Sequence, residues 1–290
     1  MKNKTKIIVT GKNGQLARTI ISNFKNKFIV KSYDKKKIDI TKKSDLLKLN
    51  LKGVSILINT AAYNEVEKSE KKNKLANKVN FVALKSLKEI CDKNNIFLIH
   101  FSTDYVFDGK KKSYSENDVT NPINEYGKSK ARGEKFLLKS KLNNYVIIRL
   151  SWVYSPVGKN FLNKIINLLK IKDNLSVVND QYGVPTSTRF IAFYLKKLIK
   201  RIMQKDKIDK IYHLAPNGKT SWYKFALMIL GALKTKYPSQ MNKKKILPII
   251  SNFKGKPKRP VCSKLNSLSI QKKLDVKFKN WEYYFLKEFK

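Results

Sequence analysis

Tyr126 and Lys130 stand four residues apart in Tyr126-Gly127-Lys128-Ser129-Lys130, and Ser102-Thr103-Asp104-Tyr105 lies upstream. Residues at i and i+4 share one face of a helix. An ammonium beside a phenol favours phenolate and lowers a reference pKa of about 10. A phenol tuned in this way can hand its proton to the oxygen of a carbonyl under reduction, help typically worth about 10²–10⁴-fold. Thr103 would offer a hydroxyl to the same oxygen. A lone Tyr-x-x-x-Lys is most often a surface pair, so the chemistry needs support from the rest of the chain.

That support begins at Gly11-Lys12-Asn13-Gly14-Gln15-Leu16-Ala17, which follows an apolar run and precedes helical spacing. This is the context a dinucleotide turn requires. Gly11 and Gly14 let the backbone approach a pyrophosphate, Ala17 lets helix and strand pack, and the helix N-terminus attracts phosphates. An ordinary glycine turn is the competing reading. Asp34, ending the next apolar run, can accept from an adenosine ribose. Lys35, Lys36 and Lys37 follow it and could hold a 2′-phosphate, which leaves NADH and NADPH both open. Asp39-Ile40 flanks the adenine or caps a loop. The small residues of Asn59-Thr60-Ala61-Ala62 admit a cofactor or a packed helix.

The elements that must position these groups follow from periodicity. Apolar runs at residues 6–10, 28–33, 54–59, 96–101 and 145–150 read as buried parallel strands. A helix follows the first strand to about Phe24, and a single helix is expected after the third, to about Lys93. The fold class is α/β, a doubly wound parallel sheet of Rossmann type with ligands beyond the carboxyl ends of its strands. Residues 1–150 form the NAD(P)-binding domain, to which some later segments return. Residues 151–290 form mainly a smaller C-terminal substrate-binding lobe. It is expected to hold helices over 161–169, 190–202 and 221–233, the last with Ser221 as N-cap. The stretch from Ile246 to Pro260 carries three prolines and is expected to be extended or looped.

Composition bounds the rest. With 290 residues, 42% of them hydrophobic, the chain can bury a full core. No apolar run approaches the ~18 residues of a membrane span. The basic start Met1-Lys2-Asn3-Lys4-Thr5-Lys6 leads into an apolar run that stops at Gly11, shorter than a signal peptide needs. A cytoplasmic location is therefore expected, without membrane partners. Two cysteines and two histidines give no disulfide framework and no metal-ligand spacing. The net charge of +42 invites a nucleic-acid partner. Its lysines are scattered along the whole chain, however, with no basic arm or aromatic RNA-binding signature, and compositional drift is the favoured reading. No specific nucleic acid is expected, while the positive field should attract anionic ligands such as nucleotide sugars.

The motifs carry a resemblance. The chain is similar to the extended short-chain dehydrogenases/reductases and, within them, to the dTDP-4-dehydrorhamnose reductases. Ser102-Thr103-Asp104-Tyr105-Val106-Phe107 and Asn179-Asp180-Gln181-Tyr182-Gly183-Val184-Pro185-Thr186 discriminate best. Arg149-Leu150-Ser151-Trp152, Tyr212-His213-Leu214 and Lys258-Arg259-Pro260 extend the match over most of the chain. The resemblance implies Tyr126 as proton donor, Lys130 on the nicotinamide ribose, and Thr103 completing a triad. It implies cofactor contacts at Gly14, Gln15, Leu16, Asp34, Asp39, Ile40, Ala62, Tyr63 and Asn64, beside Gly11 of the turn. It places Thr103, Asp104 and Trp152 against a dTDP-sugar, with Trp152 a platform rather than a core side chain. Arg259 meets the diphosphate or stays solvated, and His213 is structural. Tyr63 stands where relatives often carry His, and Phe101 where they often carry Tyr. The acidic residues tied to Mg²⁺ and dimerisation in some members have no identifiable counterpart, so Mg²⁺ and a homodimer are possible partners with no site here.

The implied activity is NAD(P)H-dependent reduction at C4 of dTDP-4-dehydro-β-L-rhamnose, in nucleotide-sugar and cell-surface polysaccharide biosynthesis. Two alternatives stand beside it: a reductase of another dTDP-4-keto-6-deoxy sugar, and a non-catalytic nucleotide-binding regulatory subunit of the same fold. The intact Thr103, Tyr126 and Lys130 argue against the second.

Overall fold

The computed structural model describes residues 4–141, 144–252 and 254–289. The basic start at residues 1–3 and Phe253 of the proline-containing stretch lie outside them. Five strands carry the first half: β1 (Lys6–Thr10), β2 (Ile29–Tyr33), β3 (Val54–Asn59), β4 (Phe97–Thr103) and β5 (Tyr145–Leu150). With the later strand Ile211–His213 they form one six-stranded sheet in the order Ile211–His213, β5, β4, β3, β1, β2. Every pairing in it is parallel. Chain order reverses at β1, whose neighbours are β2 and β3, which opens a crevice beyond the carboxyl ends there.

Apolar runs rather than alternation mark these strands because both faces are covered. Ile7, Val9, Ile56, Ile58, Ile99 and Phe101 join a core with the helices Gln15–Phe24, Thr188–Met203 and Leu268–Leu274. Ile8, Leu57, Leu98 and Ile147 face the opposite core, against Ala83–Lys93 and Leu137 of the helix Glu125–Leu138. A third core belongs to the second half. There the helices Phe161–Ile171 and Trp222–Lys236 pack with Trp281, Phe285 and, from the first half, Val106 and Phe107.

One expectation needs correction. The helix after β3 is broken into Val66–Lys71, Asn73–Asn77, a π-helical turn Lys78–Val82, and Ala83–Lys93. The stretch from Ile246, expected to be extended or looped, is extended at its start, where Lys245–Ile249 forms a strand pairing in parallel with Asn174–Val178. Ser221 does cap its helix, accepting from the N–H of Lys224 at 3.1 Å.

Candidate active site

The glycine turn closes against β3. Gly11 has φ +74°, and a Cβ there would meet the Ala61 nitrogen at 2.8 Å. Gly14 donates its N–H to the Gly11 carbonyl at 2.9 Å and caps the helix Gln15–Phe24, whose first turn carries no acidic side chain. The result is a close-approach backbone and a positive helix end, which suit a phosphate group.

The helix Glu125–Leu138 is seated by small residues. Asn124 accepts from the Gly127 N–H at 2.8 Å at its start. Gly127 lies against the Tyr105 carbonyl and Gly133 against that of Asn80, where an added Cβ would stand 2.2 and 2.6 Å from the oxygens. Ser129 donates to the Tyr126 carbonyl at 2.7 Å and accepts from Asn80 Nδ2 at 2.9 Å. Tyr126 and Lys130 are thereby turned together into the crevice, and both are buried.

They line a cavity of about 390 Å³ with Thr103, Asp104, Trp152 and Arg259. Gly14, Gln15, Leu16, Ala62 and Asn64 face the same space. An adjoining cavity of about 380 Å³ runs over the glycine turn. It is lined by Gly11, Asp34, Asp39, Ile40 and Tyr63, and shares Gly14, Ala62 and Asn64 with the first. A third, of about 550 Å³, lies in the second half; Trp222 and Arg259 line both it and the catalytic cavity.

The electrostatics differ from expectation at the phenol. Burial pushes the Tyr126 hydroxyl above its ordinary value, against a hydrogen bond with Thr103. The expected lowering by Lys130 is not seen, because the lysine points elsewhere. Its Nζ donates to the Phe101 carbonyl at 2.6 Å and lies 3.3 Å from His100 Nε2. Burial draws the Lys130 ammonium down to about 8, with Glu134 opposing. Asp104 is pushed up to about 6 by burial, although Ser263, Thr103 and Ser151 donate to it at 2.5, 3.1 and 3.1 Å. Thr103 also accepts from the Tyr105 N–H at 3.2 Å, so its hydroxyl is held on three sides.

Other expected residues are present with part of their capacity used locally. Asp34 accepts from the backbone N–H groups of Lys36 and Lys37 at 3.0 and 3.1 Å. Asp39 accepts from the Thr41 N–H at 2.9 Å and its hydroxyl at 2.8 Å, closing a turn. Gln15 bridges the two halves: its amide donates to the Val153 carbonyl at 3.2 Å and accepts from Asn160 at 2.9 Å. Tyr63 is held through its backbone, donating to and accepting from Asn80 at 2.8 and 3.1 Å. Arg259 sits 3.4 Å from Glu67. His213 is fully buried and 3.2 Å from Arg149, which pairs with Glu134 at 2.7 Å. Among the described residues no group of three or more His, Cys, Asp or Glu side chains could hold a metal ion. No helix among them is long and apolar enough to cross a membrane.

Two cavity residues escaped the sequence reading. Trp222 stacks on Trp152 with ring centroids 3.4 Å apart and planes 5° apart. Trp152 has φ +43°, and its indole lies over Gly183, where a Cβ would come within 2.3 Å. Ser102 carries a buried hydroxyl with no partner and lines the same cavity. The tryptophans are distant in the chain and only folding brings them together, while in the sequence nothing sets Ser102 apart from its neighbour Thr103.

Comparison with known proteins agrees with this architecture. Residues 5–289 match the family model described as RmlD substrate binding domain. The dTDP-4-dehydrorhamnose reductase of Sinorhizobium fredii is 32% identical over 281 residues, 96% of this chain and 94% of that protein. A crystal structure of dTDP-4-dehydrorhamnose reductase from Bacillus anthracis in complex with NADP superposes with a TM-score of 0.89 at 31% identity, covering 99% of each chain. A dTDP-4-keto-6-deoxy-D-glucose reductase of Streptomyces niveus is 31% identical over 237 residues, 78% of each.

Proposed function

The chain belongs to the RmlD substrate binding domain family, and from that membership we propose that it reduces the C4 keto group of dTDP-4-dehydro-β-L-rhamnose with NADPH or NADH. The product is dTDP-L-rhamnose. The observation that carries this reading is the convergence of Thr103, Tyr126 and Lys130 on one cavity that is continuous with the groove over the glycine turn.

A dinucleotide fits that groove and the adjoining cavity on the chain's own features: the space left by Gly11, the positive helix end at Gly14 and, in the catalytic cavity, the unpartnered Ser102 hydroxyl. Asp34 and Lys35 line its far end, so a ribose hydroxyl and a 2′-phosphate each have a partner. The bound reduced nicotinamide supplies the hydride. Tyr126 gives its proton to the oxygen as C4 gains a hydrogen, leaving an alcohol on the sugar and a phenolate on the enzyme. Thr103 hydrogen-bonds the phenol and orients it, while Lys130 would hold the cofactor ribose. Once that oxygen charge develops, hydroxyl groups already in place need no reorganisation to meet it.

Trp152, stacked on Trp222, would meet the sugar at the cavity wall beside Asp104. Arg259, which lines both this cavity and the one in the second half, would reach the diphosphate, which a guanidinium can grip with two parallel bonds. Residues 1–150, with the packed-back helix Thr188–Met203 and strand Ile211–His213, serve as the cofactor domain. Most of residues 151–290 form the substrate lobe.

The Streptomyces niveus relative favours a second reading, reduction of a dTDP-4-keto-6-deoxy sugar of different stereochemistry. Purified protein assayed against a panel of dTDP-4-keto sugars, with NADPH and NADH, separates the two. The highest kcat/KM is expected with dTDP-4-dehydro-β-L-rhamnose. A tenfold or greater preference for another sugar supports the second reading, and no cofactor oxidation with any sugar overturns both.

A further inference from the structure

Beside Lys130, a line of polar groups that meets the catalytic cavity at Asn59 and Ala61 runs behind it across β1, β3 and β4. Thr10 Oγ1 donates to Asn59 Oδ1 at 2.7 Å, and the Ala61 N–H donates to the same oxygen at 3.2 Å. Two donors on that oxygen fix which way the amide points. Its Nδ2 then donates to His100 Nδ1, 3.1 Å away. A neutral imidazole has one accepting nitrogen, so the proton of His100 sits on Nε2. That N–H faces Lys130 Nζ at 3.3 Å. An ammonium offers only protons, and two donors repel along one line.

We propose that His100, held by Asn59 and Thr10, is a positioning residue that acts through Lys130, biasing it toward the neutral amine while its nitrogen stays anchored on the Phe101 carbonyl. The inference rests on the reductase reading above. The other groups facing Lys130 do not supply the missing acceptor. Tyr126 shares its helix, and Asp104 follows β4 and is engaged by three hydroxyls. Glu134, one turn along, is committed to Arg149 of β5 through Nε and Nη2. Thr10 and Asn59 are uncharged, and Arg259 belongs to the cavity wall with Glu67. Burial keeps His100 itself neutral, far below its ordinary titration range, so the opposition persists through neutral pH.

Nitrogen-15 NMR of the imidazoles in the cofactor-free protein tests the tautomer directly, since the chain has only two histidines. His100 is expected as the neutral Nε2–H form from pH 6 to 9. An Nδ1–H form, or protonation near pH 6.5, overturns the proposal. In His100→Gln a carbonyl can accept from the ammonium, so the alkaline limb of kcat/KM should move up by about one pH unit. Uniform loss at every pH with an unmoved limb marks a merely structural residue and also overturns it. Should that variant fail to fold, the wild-type spectrum still decides. Wild-type protein without turnover defeats the reductase reading and leaves the NMR arm to judge His100.

Discussion

At the scale of single residues, the site is a set of buried groups whose charges are set by burial and then partly offset by hydroxyls. The Tyr126 phenol is raised by burial and opposed by Thr103; Asp104 is raised by burial and opposed by three hydroxyls. Thr103 therefore has two tasks, hydrogen-bonding the phenol and donating to the carboxylate. Thr103→Val keeps the shape and removes both, and kcat should fall about 10²-fold with little change in KM. Thr103→Ser, which restores the hydroxyl, should recover most of it. Steady-state kinetics of the two variants check this, and a Thr103→Val variant as active as wild type would show that the hydroxyl is dispensable. The residue types were legible in the sequence because glycine turn, Ser-Thr and Tyr-x-x-x-Lys occur in the required order. Their hydrogen bonds were not. The partners of Asp104 come from Ser151 and Ser263, and Trp152 meets Trp222 only through a left-handed backbone and the bare surface of Gly183.

At the scale of elements, the strands were readable because continuous apolar runs of β-branched and aromatic residues have few other uses in a chain of this size. The helix after β3 was not. No proline or glycine marks its breaks between Val66 and Lys93. The π-helical turn coincides with a tertiary fit, where Asn80 reaches the Tyr63 backbone and its carbonyl meets Gly133. Local pattern is silent about such fits. The same logic predicts opposite outcomes for two glycines in helices. Gly127→Ala drives a methyl into the Tyr105 carbonyl, which belongs to backbone and cannot swing away. It should cost about 1–3 kcal/mol of stability and shift Tyr126 enough to lower kcat. Gly231→Ala meets nothing within 4 Å on the exposed side of Trp222–Lys236. There the change should add about 0.5–1 kcal/mol. Urea denaturation of both variants is the check, and a stabilised Gly127→Ala would contradict the seating of that helix.

At the scale of the whole molecule, the fold places one crevice between a covered sheet and a second hydrophobic core. Gln15 spans the boundary by its bonds to Val153 and Asn160. A ligand occupying both halves would thus touch a side chain that already joins them. Strand–helix alternation weakens in the sequence after Ser151, and the second core draws most of its residues from beyond that point. The return of later segments to the first core followed from long-range packing, as in Thr19 bonding Thr188 at 2.9 Å. The net charge of +42 spreads over this whole surface and adds an attraction for anionic ligands without specifying one. Tyr126 projects into that crevice, where its proposed role is to protonate the reduced carbonyl. It is tested most directly by comparing wild type and Tyr126→Phe for oxidation of reduced nicotinamide with dTDP-4-dehydro-β-L-rhamnose, alongside cofactor affinity by titration. Wild-type enzyme should turn over, and the variant should be at least about 10²-fold slower while binding cofactor as tightly. A variant as fast as wild type would contradict that role.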